Sequence, residues 1–309
     1  MLRALKTKVG LILLTCLVAF GIVDNVFYPD VSYGATEEVV LTSKISYAKT
    51  PEIITQGNDI VTIDLSNTGR GYFAAKYTGG NERVKLIISK NGYDEDIIYD
   101  IPVEKYNEYI VLPFHAGNGE YSISVWEYVS GMLYKSVFSD TRNVEMYDEV
   151  SSFLYPSLNV DFDGDSLAVH TAAILARSSE NDRELAKEVF NWITATIEYD
   201  YAKEADIKAG MRYITQIDEV MLSKKGICLD YATIMVAMLR SQGVPAKVVV
   251  GLVEYQGEIL FPKHSWVSVY FADETGGEWV DFDPTFKTTK EKGVKCNNYS
   301  CRYSPEYSY

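Results

Sequence analysis

Two hydrophobic periods divide the chain. From about Ala35 to Met146 apolar residues alternate with polar ones or come in short bursts, as in "VKLIIS" (core 85–89), "YIVLPF" (109–114) and "YSISVWEY" (121–128). The intervening "KNGY", "TGGN" and "AGNGE" are turn chemistry, so this stretch predicts short antiparallel strands and a β-sandwich over 35–150. With no cysteine there, an antibody-type disulfide is excluded. Period-two aromatics of this kind fit core and cross-strand pairs better than a carbohydrate-binding surface. Helical spacing then takes over at Ser166–Ser178 and Asp182–Tyr199, where Leu185, Val189, Trp192, Ile193 and Ile197 form one apolar stripe. It returns at Cys228–Gln242, with Leu229, Ala232, Val236 and Leu239 on one face, and Gly243 and Pro245 end that helix. "AKVVVGLV" (246–253), "HSWVSVYF" (264–271) and "EWVDFD" (278–283) read as strands, the last two joined through a Gly-Gly turn. Helices followed by an antiparallel sheet predict an α+β domain over 151–289, entered through residues 147–166 and followed by a Tyr- and Cys-containing tail, 290–309. In "DFDGDS" the spacing fits no EF-hand, and Asp165 or Ser166 reads as the cap of the next helix.

Residues 1–34 change the picture of location. Arg3, Lys6 and Lys8 precede an uncharged apolar run, Val9 to Val23, which suits a signal segment better than a membrane span. It is either cleaved, with a site after Gly34, or retained as an N-terminal membrane anchor; both put the bulk of the chain outside the cytoplasm. "LLTC" around Cys16 is a poor lipidation signal because apolar residues continue past it. At 309 residues and 47% hydrophobic, the chain can fill the cores of two domains. Its 29 basic against 43 acidic residues give a net charge of −14, which excludes nucleic acid as a partner.

Of four cysteines, Cys296 and Cys301 flank "NNYS" and could close a small disulfide loop in an exported protein. Cys228 is left over. It stands at the start of a predicted helix, after Gly226, where the helix dipole and unpaired backbone N–H groups favour a thiolate and can hold an oxyanion; Gly226 leaves the sulfur open to approach. A nucleophilic thiol needs a base. Of three histidines, His115 lies in the β region and His170 in mid-helix, whereas His264 begins a strand whose hairpin partner ends in Asp283. The Gly pair offsets the hairpin register by a few residues from direct opposition of 264 and 283.

"GICLDYATIMVAMLRSQGVPAKVVVG", "HSWVSVYF" and "EWVDFDPTF", in that order over roughly residues 165–289, resemble the transglutaminase-like superfamily, which has a papain-like core. The resemblance implies Cys228 as nucleophile, His264 as general base and acid, and Asp283 as the residue holding the imidazole, with Asp281 the competing candidate. It implies acyl transfer on an amide through a thioester, without a cofactor. The substrate class is a protein or peptide, with cell-wall peptide among the candidates. Short connections around the site favour hydrolysis, and "EYQGEILFPK" is the one long enough to form much of a wall. The alternatives are a glutamine transamidase and a non-catalytic surface protein. Animal transglutaminases require calcium, for which no convincing site is present. Trp266 shares a strand face with His264; Asp230 and Tyr231 fit the family pattern without a derivable role.

Overall fold

In this computed structural model residues 43–255, 258–274, 276–289, 295–296, 299–300 and 302–309 are described; residues 1–34, read above as a signal segment or anchor, and Cys301 lie outside them. The first half contains β1 (Thr55–Gly57), β2 (Val61–Asp64), β3 (Tyr72–Tyr77), β4 (Val84–Lys90), β5 (Ile97–Ile101), β6 (Ile110–Pro113), β7 (Gly119–Ser130) and β8 (Leu133–Val144). They form two antiparallel four-stranded sheets, β1-β2-β3-β6 and β5-β4-β7-β8. Inward positions such as Ile63, Phe73, Leu86, Ile88, Ile123 and Val125 make the core between them. The predicted sandwich is therefore present, and the alternation along β4 is its cause: Val84, Leu86 and Ile88 are buried while Lys85 and Ile87 are half-buried.

The second half begins with a connection that is itself buried. Leu158 packs into the sandwich core, and Val160 and Phe162, two and four residues on, pack into the second core. Then come α1 (Leu167–Ala176), α2 (Asp182–Thr196), β9 (Glu198–Tyr199), α3 (Tyr201–Lys208), α4 (Ile217–Ser223), β10 (Lys225–Gly226) and α5 (Cys228–Ser241). Asn181 caps α2 by accepting from the Glu184 N–H. At α1 the capping expectation is corrected. The Ser166 hydroxyl turns back to Asp163, and Asp218 of α4 accepts from the Leu167 N–H instead.

A five-stranded sheet follows, in the order β14-β13-β12-β11-β17, built from β11 (Ala246–Tyr255), β12 (Glu258–Phe271), β13 (Glu278–Asp283), β14 (Thr288–Thr289) and β17 (Arg302–Ser308). The short β15 (Lys295–Cys296) and β16 (Tyr299–Ser300) pair with each other. Helix α5 packs on one face of the large sheet and is buried on all sides from Asp230 to Ser241, so it is the axis of the core and not an amphipathic surface helix. Each fully buried side chain of the size of Ile234, Met235 or Leu239 contributes roughly 1.5–3 kcal/mol. Arg240, fully buried at its end, donates through Nε to the Ala246 carbonyl and through Nη1 to that of Tyr155, tying helix, sheet and connection together. Residues 41–309 form one compact unit around the two cores.

Two sequence expectations are corrected here. The β11–β12 connection is not a long loop, because Glu258–Lys263 are strand; "EILF" is a run of β-formers that extends the hairpin. His264 consequently lies within β12 and not at its start. The end of the predicted tail is also more than a tail, since Arg302–Ser308 form β17, which pairs antiparallel with β11.

Candidate active site

The geometry starts with Asp230. Its Oδ2 accepts from the backbone N–H of Ile227 at 2.9 Å, closing the first turn of α5 around the residue that precedes Cys228. The same oxygen takes a hydrogen bond from Lys203 Nζ (2.9 Å), and Oδ1 takes two more, from the Tyr213 hydroxyl (2.6 Å) and Thr215 Oγ1 (2.8 Å). A fully buried carboxylate is thus satisfied on both oxygens, as burial of a charge requires. Asp230 is a buttress for the helix mouth. This also explains Gly226, whose missing side chain does not open a path to the sulfur: a Cβ there would lie 2.8 Å from the Asp230 Cβ. Gly226 is needed so that Asp230 can fold back. Its backbone is fixed from the other side by β9, which pairs in parallel with β10. Tyr231 anchors the next turn, its hydroxyl donating to the Ile197 carbonyl at 2.5 Å.

Cys228 is therefore held at the first position of α5, half-buried and free. The N–H groups of Cys228, Leu229 and Asp230 have no carbonyl four residues back within the helix, so the helix dipole is concentrated at the sulfur.

His264 arrives from the sheet. On β12 it lies directly across from Gly251 of β11. That glycine is required by close approach: a Cβ would stand 2.2 Å from the Ser304 carbonyl and 2.9 Å from the Trp266 ring. One step beyond the Val267–Phe282 pair, Asp283 falls across from Trp266, two residues from His264. The offset of the hairpin brings Asp283 Oδ2 to 2.8 Å from His264 Nε2, with both residues 3% exposed. Asp283 Oδ1 accepts from the N–H groups of Thr285 (3.0 Å) and Phe286 (3.1 Å), so the turn after β13 locks the carboxylate. Rings enclose the imidazole. Phe286 stacks on it at 4.7 Å, Trp266 lies nearly parallel at 6.3 Å, and Phe261 closes a third side. Trp266, 1% exposed, is a buried wall and not a lid.

With Nε2 on Asp283, Nδ1 is the nitrogen left for Cys228, which is within hydrogen-bonding reach of the ring. Burial by itself would lower the proton affinity of His264, but the charge and hydrogen bond of Asp283, joined by those of Cys228, raise its pKa to about 10. The ring is an imidazolium at neutral pH, which is the local positive charge a thiolate needs. Burial and the charge of Cys228 keep the nearby Tyr199 phenol protonated.

The remaining candidates lie elsewhere. Asp281 sits across from Ser268, on the face of Asp283, where its charge acts on Lys247 and Tyr303. His115 is buried in the sandwich, edge-on to Tyr121. His170 is exposed, with Nε2 at 3.0 Å from the Gly164 carbonyl. The proposed Cys296–Cys301 loop involves Cys301, outside the described residues.

Sequence reasoning missed Tyr303. It comes from β17, across from Val253, and its hydroxyl donates to Asp283 Oδ2 at 2.6 Å while its ring meets Trp266 edge-on at 5.1 Å. A signal was there: Tyr303, Tyr307 and Tyr309 keep the period of two that marks a strand. It also missed Lys203, Tyr213 and Thr215, the shell of Asp230.

Beside the site, a groove of about 230 Å³ runs between the edge strand β5 and the second half, lined by Leu229, Lys263, Ser265 and Tyr99 among others. It adjoins a cleft of about 750 Å³, with which it shares Asp100, Tyr213, Ile214 and Thr215.

Parts of the chain are similar to known proteins. Residues 169–284 match the family model of the transglutaminase-like superfamily. A protein-glutamine gamma-glutamyltransferase of Pseudomonas aeruginosa is 36% identical over 81 residues, 23% of this chain and 11% of that protein. An uncharacterised protein of Mycobacterium tuberculosis is 32% identical over 79 residues, 23% of this chain and 25% of that protein. The chain thus spans a quarter or less of these curated relatives. Among solved structures, the periplasmic domain of TgpA from Pseudomonas aeruginosa is 16% identical over 75% of this chain and 95% of that one, with a TM-score of 0.35. Red sea bream transglutaminase is 13% identical over 70% of this chain and 48% of that one, with a TM-score of 0.29. Over residues 169–284, then, the chain is similar to the transglutaminase-like superfamily.

Proposed function

We propose that the protein is an exported, cysteine-dependent amide acyl-transfer enzyme that hydrolyses a peptide or amide bond through Cys228, His264 and Asp283. The observation that carries this reading is the buried 2.8 Å contact of His264 Nε2 with Asp283 Oδ2, facing a thiol at a helix mouth. The Cys228 thiolate adds to the carbonyl carbon, and the C–O π pair moves onto oxygen, toward the first N–H groups of α5. As the C–N bond breaks, the imidazolium gives its Nδ1 proton to the departing amine, leaving a thioester and a neutral ring. The ring then takes a proton from water as that water adds to the thioester. The C–S bond breaks, and the acid product leaves behind the thiolate and an imidazolium. Asp283 keeps one tautomer and orientation throughout.

Transamidation is the second reading, favoured by the stretch shared with the Pseudomonas gamma-glutamyltransferase. It differs only in the acceptor, an amine in place of water. That requires a water-excluding acceptor channel. The strand character of residues 258–263, which leaves little loop to wall such a channel, supports hydrolysis. The deciding experiment incubates the protein with a glutamine-containing peptide pool and excess primary amine, and weighs the products. Cleaved or deamidated peptides are expected; amine-adducted glutamine as the main product would move the protein to the transferases.

A further inference from the structure

We infer that Tyr303 is a fourth member of the relay, a positioning residue that acts through Asp283 on His264. The inference rests on the assignment of Cys228, His264 and Asp283 above, and it extends the relay into the last strand of the sheet.

Asp283 Oδ2 serves two donors, His264 Nε2 at 2.8 Å and the Tyr303 hydroxyl at 2.6 Å. The other oxygen is already held by the N–H groups of Thr285 and Phe286. A carboxylate in this state has a fixed rotamer, and its charge is divided among four donors. The fraction available to His264 depends on how strongly Tyr303 draws on it, because both share one oxygen. Burial, then the charge and hydrogen bond of Asp283, hold the phenol protonated, so Tyr303 donates at every working pH. Its placement is over-determined: the backbone pairs with β11 across from Val253, the ring meets Trp266 edge-on, and the missing side chain of Gly251 lets this strand approach. Among the described residues, the charged or titratable groups that bear on His264 are Asp283 on β13, Cys228 on α5 and Tyr303 itself, whose neutral ring meets the imidazole edge-on at 6.2 Å; Asp281 reaches Tyr303, and the rings of Phe261, Trp266 and Phe286 are neutral. Tyr303 therefore sets how far Asp283 raises the proton affinity of His264. A base held too strongly protonated is a poor proton donor to the leaving amine, so the hydroxyl tempers a pair that the full charge of Asp283 would otherwise overstabilise.

The test reads two variants of opposite sign. In Tyr303→Phe the carboxylate regains its charge, and His264 is expected to bind its proton about threefold more tightly. With 3-fluorotyrosine at position 303, a stronger donor of nearly the same shape, His264 should bind it less tightly than in the unmodified chain. Both are followed by NMR titration of the His264 ring proton, and in parallel by the pH profile of Cys228 alkylation with iodoacetamide, which needs no substrate. Opposite shifts establish the coupling. No shift, or shifts in one direction, would overturn it even if activity fell, since a packing role has no reason to follow donor strength. Should Tyr303→Phe fail to fold, the fluorinated chain alone decides by the presence and sign of its shift. Asp283→Asn separates this inference from the assignment beneath it: if that change leaves the Cys228 alkylation profile unmoved, the assignment of the relay fails, and with it the reason to place Tyr303 there.

Discussion

At the scale of single residues, Cys228 is half-buried at the edge of the core, and the fully buried run of α5 begins at Asp230. Cys228→Ala is therefore expected to abolish turnover while moving the thermal midpoint by no more than a few degrees. Retained activity in a product assay would remove the thiol from the chemistry. Asp283 and Asp281 share a strand face, but Asp283 is the one in contact with His264. Asp283→Asn should cost about a hundredfold or more in kcat, through loss of the charge and tautomer control, and Asp281→Asn much less. Equal losses in a side-by-side assay would contradict this. These residues were legible in the sequence because each belongs to a local pattern: a helix start for the thiol, a paired hairpin for the other two. The hydrogen bonds of Asp230 were not, because its partners at 203, 213 and 215 sit in a stretch without strong periodicity.

At the scale of elements, the start of α5 depends on a glycine that supports no turn and has no positive φ. Gly226→Ala forces a methyl against Asp230 and is expected to destabilise the fold by about 1–3 kcal/mol and to lower activity by displacing the helix mouth. Gly80, with nothing near its Cβ direction, is the control: Gly80→Ala should leave both unchanged or stabilise slightly. Denaturant midpoints for the pair check this, and equal midpoints would refute the buttress. Long, strongly patterned elements were readable: α2 through its apolar stripe, and β11, β12 and β13 through their apolar runs rich in β-branched and aromatic residues. The short α3 and α4 were not, since α3 buries no residue completely and α4 spans under two turns. The extent of β12 was misread because turn-like polar residues interrupt "EYQGEILFPK", whereas pairing with β11 carries strand past them.

At the scale of the whole molecule, two histidines in different halves pull stability in opposite directions. Burial, aided by Lys90 and Lys247, lowers the His115 pKa from 6.5 to about 4. The unfolded chain therefore binds the extra proton between those values. The contribution of His115 is fully present above pH 6.5 and lost as pH falls toward 4. His264 is the reverse: raised to about 10, it stabilises fully below pH 6.5 and loses that contribution as pH rises through 10. Together they place a maximum near pH 6.5, with a loss on the order of 1–3 kcal/mol on the acid side. Urea midpoints across that range should flatten on the acid side in His115→Phe and on the alkaline side in His264→Gln. A variant keeping the slope assigned to its histidine would refute the attribution. The strand that carries Tyr303 has a consequence in time. A nascent chain delivers Cys228 with its helix first, then His264 and Asp283, and only afterwards the residues that close the free edge of β11 and supply the last donor to the carboxylate. Closure of the sheet thus waits on β17, and a partly synthesised chain carries its thiol through translation before the Asp283 carboxylate has all four of its donors.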